Sequence, residues 1–219
     1  NTNEGAMNYY AGFHRRQGDG FRKSRSRYNV NDLTANVTAK VGDKNEWRFF
    51  LNGFTKYSET PGGLSQAQWE QDPEQSVNPH DFFEARRFST AISYKRSFDE
   101  TNSLTTSVYG SYLKRDWWLD NRNATASKRK FIAALRDIPT VGLFSDYERT
   151  NPLFGKENKL LAGIRLHTDI THEVSVAGDE MGKKAGKTTA NSANTVAVVE
   201  GYVFDEFHIT DKLNINPGL

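Results

Sequence analysis

Basic residues and tryptophans gather at a few places in this chain. Arg86-Arg87 is one, and Lys114-Arg115 beside Trp117-Trp118 is another. Arg15, Arg16, Arg22, Lys23, Arg25 and Arg27 crowd a third. A guanidinium is a planar fork that grips a carboxylate with two parallel hydrogen bonds. An indole offers a flat face for stacking. Together these types suit the capture of an anionic ligand. Gln66, Gln68 and Trp69 lie on a polar stretch that can fold over one. Each residue also has a plainer reading: the cations as solvated loop residues, the tryptophans as part of an aromatic girdle.

Other chemistry finds little support. There is no cysteine, so disulfides and thiolate metal sites are out. The five histidines, His14, His80, His167, His172 and His208, show no metal-ligand spacing. Lys183-Lys184-Ala185-Gly186-Lys187-Thr188 ends like a phosphate loop but lacks the first glycine, and no helical pattern follows. No Ser-His-Asp grouping stands out, so the chain is not read as an enzyme. A net charge of +2 is too mild for a nucleic-acid binder.

The elements that would position these residues are strands. From Asn31 to Val41, Leu33, Ala35, Val37, Ala39 and Val41 alternate with Asp32, Thr34, Asn36, Thr38 and Lys40. About eleven such residues suffice for a tilted strand to cross a bilayer. Trp47, Phe49, Leu51, Gly53, Thr55 and Tyr57 then alternate with Arg48, Phe50, Asn52, Phe54 and Lys56. Further strands are predicted at Met7–His14, Phe88–Lys95, Leu104–Tyr112, Thr140–Tyr147, Lys159–His167, Asn194–Phe207 and Leu213–Leu219, making about nine. Short turns are predicted at Val41–Asn45, Ser97–Asn102, Asn151–Asn158 and Ile209–Lys212. Long excursions are predicted at Ser58–Glu84, Lys114–Pro139 and Asp169–Ala193.

Short connections on one side and long ones on the other describe an outer-membrane barrel with short periplasmic turns and long extracellular loops. A soluble β-sandwich mixes connection lengths at both ends and must fill a dry core. Here the apolar face is thin in places. Hydrophobic residues make up only 36% of the chain and mean hydropathy is −0.73, values compatible with strands that show lipid every second residue. Aromatics, at 12%, are plentiful enough for two interfacial girdles. The expected fold is all-β: a transmembrane antiparallel barrel, with residues 1–219 forming part of one barrel domain. About nine strands do not close an even-numbered barrel, so a larger protein is expected.

Several segments resemble TonB-dependent outer-membrane receptors of the ferric citrate and siderophore type. Thr60-Pro61-Gly62-Gly63-Leu64 through Asp72-Pro73 is similar to a loop of ferric citrate-type receptors, and Asn78-Pro79-His80-Asp81 before Arg86-Arg87 continues the likeness. Gly18-Asp19-Gly20-Phe21-Arg22 resembles a Gly-Asp-Gly-Tyr-Arg segment of that family. Asp205 through Leu213, leading to Pro217-Gly218-Leu219, extends it to the end of the chain.

The resemblance implies a plugged barrel of about twenty-two strands, with the N-terminal plug and the C-terminal strands outside this chain. It implies a monomeric receptor in the bacterial outer membrane that imports a ferric chelate, coupled to TonB through the plug. The chelate would be cargo, with no covalently bound cofactor. Under this reading Arg86, Arg87, Lys114, Arg115, Trp117, Trp118 and Gln66 are the candidate ligand contacts. The basic residues also fit pairing with outer-membrane lipid and lipopolysaccharide. A passive porin and a soluble β-sandwich binding module are the competing readings.

Overall fold

Every predicted strand forms, and all of them join one sheet. The computed structural model describes residues 2–4, 7–120, 131–210 and 213–218. The strands are β1 (Thr2–Glu4), β2 (Met7–Gly18), β3 (Tyr28–Val41), β4 (Asn45–Glu59), β5 (Phe82–Ser97), β6 (Asn102–Asp120), β7 (Phe131–Thr150), β8 (Asn158–Gly178), β9 (Gly186–Thr210) and β10 (Leu213–Ile215). A short helix, α1 (Gln66–Gln71), lies between β4 and β5. Each strand pairs antiparallel with the next, in plain sequence order. This up-and-down meander is the wall of a barrel.

The register shows why the alternation matters. Residues directly opposite in an antiparallel ladder share a face. One row crosses eight strands as Tyr9, Val37, Phe49, Ile92, Val108, Leu143, Leu166 and Val199. All are apolar or aromatic, and Val199 is 83% exposed. A row on the other face reads Gly12, Thr34, Asn52, Ser89, Ser111, Thr140, Asp169 and Val196. A broad exposed apolar face suits lipid, and a polar face suits a wet lumen. We call the first face outward and the second inward.

Two expected excursions are mostly strand. β6 runs on to Asp120 and β7 starts at Phe131, so most of Lys114–Pro139 is ladder. β8 continues to Gly178 and β9 begins at Gly186, which does the same to Asp169–Ala193. The physical reason is that hydrophobic alternation marks only strand segments whose two faces meet different media. On β6 and β7 the signature lapses, because Trp117-Trp118-Leu119 and residues 131–135 put apolar side chains on both faces while the backbone ladder continues. On β8 it persists, with Ile170, Val174 and Val176 outward and Thr171, Glu173 and Ser175 inward. Pro139 hid β7 as well. It lacks an N–H, and β7 and β8 skip their pairing at Ile138 and Pro139 before resuming in register. β10 is shorter than expected, ending at Ile215, although Gly218 bridges Phe204. Asp211, Lys212 and Leu219 of the last predicted turn and strand lie outside the described residues.

The short turns have legible causes. Gly42 takes φ 65°, which glycine adopts without strain. In the β5–β6 turn Asp99 accepts from the backbone N–H groups of Thr101 and Asn102, each at 2.8 Å. Those bonds, with the Asn102 and Thr101 side chains, pull its carboxyl down to about 2.

A small core sits at the strand ends that adjoin the longer connections. Phe82, Trp118, Phe131, Ala133 and Val176 form it, with Leu135 and Val174 against them. Phe82, Trp118, Ala133 and Val176 share one register row and the parity of the lipid-facing residues. The β8–β9 connection covers this cluster. Lys184 sits 5.0 Å over the Phe82 ring and pairs with Glu84 at 2.6 Å.

Candidate ligand-binding site

Strand geometry splits each doublet that drew attention in the sequence. Neighbours on a strand point to opposite faces. Arg87, Arg115 and Trp117 therefore turn inward, while Arg86, Lys114 and Trp118 turn outward. Contacts agree with the parity. Arg87 donates to inward Asn52 Oδ1 at 3.1 Å and lies 5.5 Å from the Phe54 ring centre. Trp118 is only 3% exposed in the outward core, so it serves neither a girdle nor a ligand. Trp117 is 39% exposed.

The inward face near the long connections gathers cations. Ala85, Arg115, Arg136 and Glu173 stand opposite one another on β5, β6, β7 and β8. Arg136 donates to Glu173. Arg115 faces Arg136 across the ladder, and its Nε is buried without an acceptor. Arg87 lies one inward row below and Trp117 one row above, opposite Leu113 and Phe83 respectively. Lys56 adds a fourth cation, opposite Ala85 and 5.3 Å from the Phe83 ring. Three guanidiniums, one ammonium and one carboxylate leave a concentrated positive field beside aromatic faces. That arrangement can bind a multiply charged anion through paired N–H donors.

Sequence reasoning missed Arg136 and Lys56. Arg136 lay in a stretch read as a loop, where parity has no meaning. Lys56 sat on a recognised strand and was countable as inward. The mistake was to look only for adjacent pairs, which a strand separates.

Other candidates are committed elsewhere. Gln66 begins α1 and donates to Glu70 at 2.9 Å, and Gln68 closes a capping box with Ser65. Nothing among the described residues joins Gln66 to the arginines. The first basic cluster ties two connections together. Lys23 pairs with Asp72 at 2.9 Å, and its backbone N–H donates to Glu74 O. Arg22 donates to Gln75 O, while Arg25 and Arg27 approach Glu59. The Lys23 hydrogen bond holds the Asp72 carboxyl below its usual value and raises the ammonium in turn. Lys183 pairs with Glu180, so the phosphate-loop look-alike is a structural turn.

Lower in the lumen a polar network spans three strands. Tyr109 OH meets His167 Nδ1 at 2.8 Å, His167 Nε2 meets Asp169 at 2.9 Å, and Thr140 donates to Asp169 at 2.5 Å. Tyr109 lies over Gly142, where an added Cβ would collide with the ring. No cluster of metal-ligating side chains occurs among the described residues.

No protein-family model and no curated protein matches this sequence. Solved structures do. The unliganded ferric citrate transporter FecA superimposes on 99% of this chain with a TM-score of 0.88 at 18% identity, the match covering 32% of FecA. The chain thus has the fold of part of that transporter's barrel wall. The ferric-catecholate import receptor Fiu of E. coli K12, in its open form, matches the whole chain at TM-score 0.78 and 12% identity, over 40% of its own length. The siderophore receptor PiuA of Acinetobacter baumannii matches 97% of the chain at 0.74 and 10% identity, over 38% of its length. The barrel wall described here thus spans 32–40% of these receptor chains.

Proposed function

We propose that the chain is part of an outer-membrane, TonB-dependent receptor that takes up an anionic ferric chelate. The observation that carries this reading is the inward cluster of Arg87, Arg115, Arg136 and Lys56. Arg115 stands directly opposite Arg136, a like-charge pair that a bound anion would relieve. The cluster stands where the long connections meet the strands, on the route of a ligand entering from outside. The barrel-wall fold shared with solved ferric-chelate receptors supports the same reading. The whole receptor would carry a plug in the lumen, and TonB would act through that plug.

Each inward residue then has a task. Arg87 and Arg115 present donors to carboxylate or catecholate oxygens of the chelate. Glu173 holds Arg136 in place, and Trp117 provides a flat wall. The test is iron-limited growth of a knockout complemented with Arg87→Gln/Arg115→Gln, supplied with a panel of ferric chelates. Wild-type protein should restore uptake of one anionic chelate and the double variant should not. Uptake of every chelate unchanged by the knockout would refute the function. Unchanged uptake in the double variant would remove these arginines from the site.

A further inference from the structure

The inward face carries a second group of cations, at the end with the short turns. Lys40, Glu46 and Lys95 stand opposite one another on β3, β4 and β5, all with inward parity. Arg48 shares that parity, opposite Thr38 and Ser93. With Lys44 of the β3–β4 turn these residues line a cavity of about 350 Å³, whose lining holds four cations and two carboxylates, Asp43 and Glu46. Glu46 is occupied, because Arg48 Nε donates to it at 2.6 Å. Among the described residues Lys40 and Lys95 form no ion pair. The floor is built by two tied turns: Ser97 N–H donates to Lys44 O at 2.8 Å, and Lys44 Nζ donates to Phe98 O at 3.0 Å. Strands β7 to β9 differ at this end, where the inward acids are matched. Glu148 pairs with Lys159, Asp146 accepts from Tyr202, and Glu206 approaches His208.

We infer that Lys40, Lys44, Arg48 and Lys95 form an exit site for the multiply charged anion that Arg87, Arg115, Arg136 and Lys56 capture at the other end. This rests on the uptake reading, which puts the short turns on the receiving side. The two sites share strands. Lys56 and Arg48 lie on β4, and Arg87 and Lys95 on β5, each pair roughly 26 Å apart at about 3.3 Å per residue. Between them every inward residue of these strands is uncharged: Phe50, Asn52 and Phe54 on β4, Ser89, Ala91 and Ser93 on β5. An anion leaving the first site therefore meets no fixed charge on this wall until it reaches the second, whose positive field draws it on. The two sites also differ in kind. Capture uses three arginines and one lysine, whereas the far end has three lysines and one arginine. A guanidinium fork grips a carboxylate bidentately, while an ammonium is a hydrated point charge that holds it less specifically. That difference suits binding at one end and release at the other.

The experiment uses the full-length receptor purified in detergent, where both mouths meet solvent, and titrates it with ferric citrate as a polycarboxylate probe. Equilibrium dialysis of labelled iron counts the bound equivalents. Wild type should bind two, the second more weakly. Lys40→Gln/Lys95→Gln should weaken the second by about tenfold and spare the first, and Arg87→Gln/Arg115→Gln should do the reverse. Lys40→Arg/Lys95→Arg should keep both, and Arg96→Gln, outward on the same strand, should change neither. Fewer than two equivalents on wild type, a second equivalent undiminished in the Lys-to-Gln variant, or equal binding of an uncharged ferric hydroxamate would each overturn the proposal. So would a lower melting temperature or new leakage of large solutes in that variant, since the pocket would then anchor a lumenal segment instead. A single equivalent dependent on Arg87 and Arg115 would remove the exit site and leave the uptake reading standing. A knockout that takes up every chelate as before would end both.

Discussion

The outward and inward faces of the same strands follow different rules. Outward, Val37, Phe49, Ile92 and Leu166 need only be apolar, since lipid adapts to their shape. Inward, Asn52, Asp32, Thr34 and Arg87 are hydrogen-bonded to one another, with Asn52 Nδ2 donating to Asp32 and Thr34 at 3.0 Å. The faces differ again above the membrane, where the outward side acquires a dry aromatic core and the inward side collects arginines. A single strand thus serves three environments, and adjacent residues belong to different ones. The comparison is sharpest at the tryptophan doublet. Trp118→Ala should destabilise the extracellular part by about 3–5 kcal/mol, as for other large-to-small core changes. Trp117→Ala, on the more open face, should cost far less. Chemical denaturation of both variants tests this, and equal losses would break the assignment of faces.

The next largest contrast lies at mid-strand. Val37→Arg places a charge against lipid and should cost about 2–4 kcal/mol near the midplane. Thr38→Arg points the same charge into the lumen and should fold nearly as well as wild type. Folding yield in lipid vesicles, read by heat-modifiable migration on gels, separates the two.

These contrasts also show what the sequence made legible. The alternation at Asn31–Val41 and Trp47–Tyr57 revealed strands, register and face, because lipid and lumen impose different chemistry on successive residues. The same rule was silent for Arg136 and Trp118. Both lie on β6 and β7 beyond the apolar band, where apolar residues such as Leu119 and Ile132 stand on the inward face as well and the period breaks. The ladder there is held by backbone hydrogen bonds, which any sequence without proline can supply. Tertiary covering by the β8–β9 connection made Trp118 a core residue, and nothing local to Trp118 announces that. The candidate site was legible in its residue types and not in its membership, since Arg87 and Arg115 turn inward while Arg86 and Lys114 face away.

Arg115 allows a finer test of the inward face. Arg115→Gln should weaken binding of the anionic chelate by about 1.5–3 kcal/mol, the range for a charge-assisted hydrogen bond. Arg115→Lys keeps the charge but loses the planar fork, and should recover only part of the affinity. Titration with the chelate that supports growth measures both. Full recovery with lysine would mean the site reads charge alone.

The smallest effect lies at the short turns, where the two ends of the wall can be compared. The β5–β6 turn depends on an ionised Asp99, whereas the β3–β4 turn depends on Gly42 and its positive φ. Asp99 is depressed from 3.8 to about 2 by the N–H and side-chain donors of Thr101 and Asn102. A carboxyl lowered on folding stabilises the native state above its unfolded pKa and loses that contribution as pH falls through the folded value. The gap in melting temperature between wild type and Asp99→Ala should therefore be steady near neutral pH and narrow between about pH 4 and about pH 2. Gly42→Ala in the other turn should lower the melting temperature by a similar amount at every pH, because strain at positive φ rather than a carboxylate sets that loss. A gap for Asp99→Ala that stays constant down to about pH 2 would show that the charge on Asp99 contributes nothing and that its side chain acts only by filling the turn.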